Sequence, residues 1–262
     1  MTDSDRFHRA HARLSVGHLG DSAFDYLLPP LVSSMSLKYW TPLPVARRAA
    51  DLFAERGARR ILDVGAGPGK FCIGAAFARP ELEFCGVDQD RNLIETARDL
   101  ADRLKLQNLE FIAGDALSVD WARFDGFYFF NPFAENDLYR AVGSDDVSGP
   151  RDNELLRIAE RLSSLRTGST LVTYHGLGGP IPSSFDLIRE EHAGTDLLRL
   201  WVKNRARDAD WYYLDTYSAV YRAPKDRVEH ELRLRPGSDP DPRSAAADTD
   251  SARSARAPDA ES

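Results

Sequence analysis

A glycine-rich turn is the first stretch of the sequence whose residue types and spacing can do chemistry. Asp63-Val64-Gly65-Ala66-Gly67-Pro68-Gly69 lies between an apolar run and a helical pattern. Glycines let the backbone approach a ligand closely, and the following helix offers its positive N-terminus to an anion. A dinucleotide fingerprint would carry glycine where Lys70 stands, and Phe71 excludes a Gly-Lys-Ser/Thr phosphate loop. The segment is therefore a cofactor turn of another kind or a plain tight turn.

The three glycines after Asp63 resemble motif I of the class I S-adenosylmethionine-dependent methyltransferases. The resemblance extends over about residues 36–175. It implies S-adenosylmethionine as the cofactor, with its methionine half held by Gly65, Gly67 and Gly69. It also implies that the acid at Asp63 helps to bind the cofactor's ammonium group.

An acidic cluster follows the second apolar run, in the sequence VDQD. Asp88 comes roughly 20 residues after the glycine turn, where a carboxylate can accept both ribose hydroxyls and repels a 2′-phosphate. Helix capping is the alternative, because Asp88 and Asp90 both precede the helical pattern RNLIETA. We assign ribose binding to Asp88, with Gln89 beside it in the cofactor site, and capping to Asp90.

Gly114-Asp115-Ala116 follows the third apolar run. The resemblance implies that Asp115 hydrogen-bonds the adenine amine and that the backbone N–H of Ala116 faces the ring. An Asx turn is the alternative for Asp115.

Asn131-Pro132-Phe133 follows the fourth apolar run and resembles the Asn-Pro-Pro-Tyr/Phe motif of methyltransferases that act on exocyclic or amide nitrogens. A nitrogen attacks only when its lone pair points at the methyl group. The Asn131 side-chain oxygen and a backbone carbonyl at Pro132 can accept the two amine hydrogens and so orient that lone pair. Phe133 can stack on a planar acceptor. The sequence has one proline where the family has two, and a turn that closes a buried strand is the alternative.

Two further positions are candidates at the same edge of the predicted sheet. Lys38-Tyr39-Trp40-Thr41-Pro42 resembles motif X of the nitrogen methyltransferases, which implies a Thr41 hydroxyl bonded to the cofactor carboxylate. The same letters also suit a helix N-cap followed by proline. His175 follows the fifth strand and can act as a general base, a role that matters most for an oxygen acceptor. A hydrogen-bonded wall residue is the simpler interpretation of His175.

Alternating helix and strand patterns from about residue 44 position these residues. They predict an α/β fold with a doubly wound, mostly parallel sheet, and the resemblance implies seven strands with helices on both faces. Residues 183–192 are expected to form another helix. LLRLWVKN and DWYYLDTYSAVYRA are expected to be a closing pair of strands.

We divide the chain into an N-terminal extension over residues 1–40, a methyltransferase domain over 41–235 and a disordered tail over 236–262. The extension is expected to pack over the active site. The tail lacks Val, Ile, Leu, Met and aromatic residues, so nothing there offsets the entropy of ordering. Cys72 and Cys85 are best interpreted as small apolar core residues.

Composition limits the remaining function classes. The 262 residues are 42% hydrophobic and carry a net charge of −7, which favours a small-molecule or protein acceptor over RNA. No apolar run is long enough to span a bilayer and no signal peptide is evident, so a cytoplasmic location is expected. The histidines have no metal-ligand spacing, and no metal is predicted. A nucleotide-binding oxidoreductase and a non-catalytic S-adenosylmethionine-binding protein remain the alternatives.

Overall fold

The structure, a computed structural model, describes residues 3–15, 17–130, 152–177, 181–205, 210–214 and 220–224. The triplet Asn131-Pro132-Phe133 and the tail 236–262 lie outside the described residues. The roles given to them stay predictions.

Ten strands are present in the described residues: β1 Arg60–Val64, β2 Glu83–Asp88, β3 Leu109–Ala113, β4 Gly126–Phe130, β5 Thr170–Tyr174, β6 Ile181–Pro182, β7 Phe185–Ala193, β8 Asp196–Lys203, β9 Asp210–Leu214 and β10 Val220–Pro224. Seven of them form the main sheet, in the order β3-β2-β1-β4-β5-β8-β7. β1 to β5 pair in parallel, and β8 runs antiparallel to both of its neighbours. The predicted seven-stranded, mostly parallel sheet is confirmed.

The helices of the described residues are α1 Asp3–Ser15, α2 Asp21–Asp25, α3 Pro30–Ser34, α4 Ser36–Tyr39, α5 Leu43–Glu55, α6 Lys70–Ala78, α7 Arg91–Arg103 and α8 Asp152–Ser163. Short 3₁₀ turns follow β3 at Ala116–Ser118 and Trp121–Arg123. α5 ends at Glu55, and Gly57, two residues later, has a φ of 76°. This is the left-handed conformation that commonly follows a helix C-terminus.

Successive strand residues face opposite sides of the sheet, which produces two apolar cores. Ile61 and Tyr128 join the core under α1, α5, α6 and α7, whereas Leu62 and Phe127 join the core under α8 and the 3₁₀ turns. The sheet is thus covered on both faces, as parallel sheets generally are. Its strand order reverses between β1 and β4, and in such sheets ligands bind at the carboxyl edge beside that reversal.

Two expectations for the C-terminal half are wrong. Residues 183–192 do not form a helix; most of them belong to β7, at the edge of the main sheet. The run FDLIREEHA is rich in charged residues and has no regular apolar pattern, so it is a weak signal for a helix or for a strand. In the structure most of its side chains are exposed. In a separate three-stranded sheet, β9 pairs with β10 on one side and with β6 on the other, and neither β9 nor β10 pairs with β8.

Both cysteines are buried, as predicted, with 0% exposure for Cys72 and 3% for Cys85. Burial raises the pKa of the Cys85 thiol to about 12 and the pKa of Cys72 well above its usual value. Within the described ranges, no helix combines the length and the apolar character needed to cross a bilayer.

Candidate cofactor and acceptor site

The glycine turn joins β1 to α6 at the carboxyl edge of the sheet. Gly65, Gly67 and Gly69 have φ angles of 81°, 54° and 78°, which L-residues with a side chain rarely adopt. A Cβ atom at Gly69 would also lie 2.6 Å from the ring of Phe111. Gly69 is the N-cap of α6, and the first N–H groups of a helix have no intrahelical acceptor. The turn therefore leads into a helix start that can receive a carboxylate.

Asp88, the last residue of β2, is bonded directly to the glycine turn. Its Oδ2 accepts a hydrogen bond of 2.8 Å from the backbone N–H of Gly67, and its Oδ1 accepts one of 2.8 Å from Asp90. Partial burial raises the pKa of the Asp88 carboxyl, an effect that these N–H donors oppose. The side chain of Asp90 accepts from the N–H groups of Asn92 and Leu93, so its predicted capping role is confirmed.

Asp63 lies beneath the turn, within β1, and only 3% of the residue is exposed. The thiol of Cys72 donates a weak hydrogen bond of 3.4 Å to its Oδ2. Desolvation raises the pKa of Asp63 to about 8, because the nearby thiol compensates little for the loss of water. At neutral pH Asp63 is thus a mostly uncharged acid that an adjacent cation would ionise.

The chain after β3 runs beside Asp88 and contains Gly114, Asp115 and Ala116. The N–H of Gly114 donates to the backbone carbonyl of Asp88 at 2.8 Å. The Asp115 side chain accepts from the N–H of Leu117 at 2.8 Å, which is the geometry of the Asx turn weighed as its alternative. Asp115 is exposed, and so is Gln89 on the adjoining loop. The adenine contact predicted for Asp115 and Ala116 stays a prediction.

Trp40, and not Thr41, is the side chain of the N-terminal segment that contacts the glycine turn. A Cβ atom at Gly67 would lie 3.3 Å from the indole nitrogen of Trp40. The Thr41 hydroxyl is bonded to the Tyr128 hydroxyl at 2.9 Å, and Thr41 is buried. Tyr128 in turn stacks on Phe71 with 3.6 Å between the ring centroids. In this structure Thr41 fixes the segment to β4, and its proposed bond to a cofactor carboxylate stays a prediction.

The ends of β4 and β5 bring an aromatic and a histidine to the same edge. The rings of Phe130 and His175 lie 5.2 Å apart, and Tyr174 packs edge-on against His175 at 4.7 Å. His175 has a φ of 56°, a conformation that costs energy for a residue other than glycine. Its Nδ1 lies 2.5 Å from Oδ2 of Asp196, the first residue of β8. Sequence reasoning missed Asp196, because the pair forms only when β8 lies against β5.

Residues 56–164 match a protein family described as a methyltransferase domain. Residues 56–164 therefore carry a methyltransferase domain. The sheet order and the glycine turn are those expected of the S-adenosylmethionine-dependent class.

Two curated relatives are similar to parts of the chain. Over 167 residues the chain is 29% identical to the release factor glutamine methyltransferase of Vibrio cholerae, an alignment that covers 62% of the chain and 56% of that relative. Over 64 residues it is 35% identical to the tRNA (guanine-N(7)-)-methyltransferase of Halalkalibacterium halodurans, covering 24% of the chain and 29% of the relative. The chain therefore spans about half, or less, of the length of these curated relatives.

Solved structures of methyltransferases are also similar, at low sequence identity. An RNA methyltransferase from Salinibacter ruber in complex with S-adenosylhomocysteine shares 19% identity, over 63% of this chain and 93% of that one, with a TM-score of 0.43. The mitomycin 7-O-methyltransferase MmcR shares 17% identity, over 62% and 53% of the two chains, with a TM-score of 0.46.

The methyltransferase domain offers groups that suit the chemistry of S-adenosylmethionine. A ribose diol is the predicted partner of Asp88, and an ammonium group is the predicted partner of the buried acid Asp63. The start of α6 suits the cofactor's carboxylate. Gly67 and Asp88 are hydrogen-bonded, and Asp115 follows the neighbouring strand β3 at the same end of the sheet. Their shared role in a cofactor site stays a prediction.

A groove of about 770 Å³ lies at the opposite edge of the methyltransferase domain, by the amino ends of β1, β2 and β3. Several of its polar groups are already bonded within the protein. Arg60 pairs with Glu83 at 3.0 Å, and the Asn108 amide donates to the backbone carbonyl of Leu82 at 2.9 Å. The positive-φ turn and Asp88 lie instead at the carboxyl ends of the strands, where the cofactor is predicted to bind.

Proposed function

We propose that this protein transfers the methyl group of S-adenosylmethionine to a nitrogen atom of its acceptor. The binding of S-adenosylmethionine is supported by one observation, the hydrogen bond from the N–H of Gly67 in the glycine turn to Asp88. This bond brings the turn and the acid at the end of β2 into one site, as a nucleoside-binding role for both requires.

The nitrogen acceptor is supported by sequence position and by the relatives. β4 lies beside β1, with Phe129 paired to Val64, so the chain leaves β4 next to the glycine turn. Asn131-Pro132-Phe133 comes directly after that strand. The two curated relatives are named for a glutamine and for N(7) of guanine, and both acceptors offer nitrogen.

S-adenosylmethionine supplies a methyl group on a positively charged sulfur, which is a good leaving group. The acceptor nitrogen forms the new bond to carbon as the carbon–sulfur bond breaks, and the nitrogen then loses a proton to solvent. The residues of this chain are needed mainly to hold both reactants in line and to exclude water. Asn131 would orient the amine, while Asp88 and Asp63 would hold the two ends of the cofactor.

The acceptor is expected to be a small molecule or a protein, because the chain has a net charge of −7. A transfer assay with methyl-labelled S-adenosylmethionine tests this against separate metabolite, protein and RNA fractions. Label in the RNA fraction alone would contradict the acceptor class. An absence of label in every fraction would argue for the non-catalytic alternative.

Two variants separate the roles of the cofactor and acceptor residues. Asp88→Ala should lose most of its affinity for S-adenosylhomocysteine in isothermal titration. Asn131→Ala should keep that affinity and lose turnover. If Asn131→Ala loses both in equal measure, Asn131 serves the fold or the cofactor and not the acceptor.

An oxygen acceptor is the second candidate, and the His175–Asp196 pair favours it. With Nδ1 held by Asp196, the imidazole can take a proton from a hydroxyl at Nε2, a step that oxygen needs before attack. On this alternative, His175→Gln should lower the turnover number by about 10²-fold or more. For a nitrogen acceptor, the same variant should change turnover by less than about tenfold.

A further inference from the structure

A buried lysine stands directly after the glycine turn. Lys70 is the first residue of α6 and is 2% exposed. Its ammonium group lies 2.8 Å from Oδ1 of Asp21 and 2.8 Å from Oδ1 of Asp25, and it donates to the Ser36 hydroxyl at 2.9 Å. Sequence reasoning used Lys70 only to exclude a dinucleotide fingerprint.

The position of Lys70 is costly, so its partners matter. Burial removes water from the ammonium group, and a cation at a helix N-terminus is repelled by the helix dipole. Two carboxylates and a hydroxyl compensate for both effects, and Phe24 adds an aromatic ring at 5.8 Å. Because the charge is paired in this way, Lys70 is not available to bind a phosphate as a phosphate-loop lysine does.

The partners of Lys70 all belong to the N-terminal segment. Asp21 begins α2 and also accepts from the N–H of Leu43 at the start of α5. Asp25 ends α2 and accepts from the Ser36 hydroxyl of α4 at 2.6 Å. One cluster, which we call the Lys70 cluster (Lys70, Asp21, Asp25 and Ser36), therefore ties α2, α4 and α5 to the first turn of α6.

The same segment reaches the glycine turn a few residues later. Trp40 follows α4 and lies against Gly67, and Thr41 is bonded to Tyr128. The Lys70 cluster thus attaches the segment to the start of α6, and Trp40 of the same segment lies against Gly67 of the turn. A cofactor at Gly67 would be next to the indole of Trp40.

We propose that Lys70 is a positioning residue that holds residues 19–41 as one wall of the cofactor site and so controls how fast the bound cofactor leaves. The inference rests on the proposed function, because it assumes that the glycine turn binds S-adenosylmethionine. Breaking the Lys70 cluster frees Trp40 from Gly67 and opens the site, while the rest of the sheet stays folded. A lysine with a purely structural role would lower stability and leave release unchanged.

The experiment measures the release of S-adenosylhomocysteine from the full chain by stopped-flow, together with hydrogen exchange of residues 19–41. The variants Ser36→Ala, Asp25→Asn and Lys70→Met remove progressively more of the Lys70 cluster, and Lys70→Arg restores the charge. The matched control is Lys203→Met. Lys203 is fully buried by the amino end of β5, away from the glycine turn, and it donates a hydrogen bond to the Ser184 hydroxyl at 2.7 Å.

Lys70→Met is expected to release S-adenosylhomocysteine at least tenfold faster than the wild-type protein. The backbone amide hydrogens of residues 19–41 should exchange rapidly in this variant, with or without ligand. Asp25→Asn should be intermediate, Ser36→Ala mild, and Lys70→Arg closer to wild type than Lys70→Met. Lys203→Met should lose stability but release the ligand within twofold of the wild-type rate. If Lys70→Met does not fold, Asp25→Asn and Ser36→Ala still decide the question.

Two results would overturn the inference in different ways. If the wild-type protein binds S-adenosylhomocysteine and the cluster variants release it at the wild-type rate, the role of Lys70 is refuted and the proposed function stands. If the wild-type protein does not bind the ligand at all, the proposed function and the inference fail together.

Discussion

The buried acid Asp63 gives a prediction that can be worked out from the structure. Its pKa of about 8 in the ligand-free protein means that it holds a proton at neutral pH. An ammonium group placed beside it would favour the carboxylate, and the proton would leave. Binding of S-adenosylhomocysteine, which has the same amino-acid half as the methyl donor, should therefore release a proton from the protein.

The number of protons follows from two pKa values. At pH 6.5 a carboxyl with a pKa near 8 is almost wholly protonated, and an α-amino group with an ordinary pKa is almost wholly charged. Ionisation of Asp63 on binding should then release roughly 0.9 proton per ligand bound. Between pH 6 and 7 the association constant should rise by nearly tenfold, since the ionised fraction of Asp63 rises by about that factor.

Isothermal titration in buffers of different ionisation enthalpy counts these protons directly. Asp63→Asn is the matched variant, because it preserves shape and cannot ionise. It should bind with no proton release and with an affinity that varies little from pH 6 to 7. A wild-type count near zero, or an equal count in Asp63→Asn, would refute the assignment of Asp63 to the ammonium group.

The same pKa shift affects stability without any ligand. The folded-state pKa of Asp63 lies above its unfolded value of 3.8, so the folded state holds the proton more tightly between these values. The stabilising contribution is complete below about pH 4 and is lost as the pH rises to about 8, with a slope of up to about 1.4 kcal/mol per pH unit. Denaturation of Asp63→Asn should lack this part of the slope. Equal pH dependence in both proteins would mean that Asp63 titrates normally.

Three further substitutions test the site. Gly69→Ala should lower the free energy of unfolding by about 2 kcal/mol or more, measured by urea denaturation, because it combines a φ of 78° with a clash against Phe111; an unchanged midpoint would contradict the need for glycine. Asp88→Asn should weaken S-adenosylhomocysteine binding about tenfold or more in titration, because a charge-assisted bond to the ribose is lost; equal affinity would remove the ribose role. Asp115→Ala should lower the free energy of unfolding by about 1 kcal/mol, because the cap on the N–H of Leu117 is lost. A loss of binding free energy for S-adenosylhomocysteine larger than this would support the adenine contact, and unchanged affinity would contradict it.

The sequence predicts the central part of the fold well, because its signals are local. β1 to β4 are short apolar runs that end at, or directly before, Gly, Asp or Asn, and α5, α7 and α8 have clear helical periodicity. Chemistry at the carboxyl edge follows from that alternation, since parallel strands bring their ends together. The bond between Gly67 and Asp88 is of this kind.

The parts that were missed depend on contacts between distant positions. β7 is an edge strand whose charged side chains, such as Arg189 and Glu190, pair with Glu55 and Arg199, and its letters alone give no strand periodicity. The two acidic partners of Lys70, Asp21 and Asp25, lie far earlier in the chain than the lysine. Trp40 was part of the motif that drew attention to Thr41, yet only packing shows that the indole contacts Gly67.

The inaccessibility of both native thiols has a practical consequence for following the protein in solution. Cys72 and Cys85 are the chain's two cysteines, and each is screened from reagents by the core around it and has little thiolate at neutral pH. A cysteine introduced at Tyr26, which is 71% exposed on the N-terminal segment, would react selectively with a maleimide dye in the otherwise native background. Movements of that segment could then be followed by fluorescence without first replacing Cys72 and Cys85.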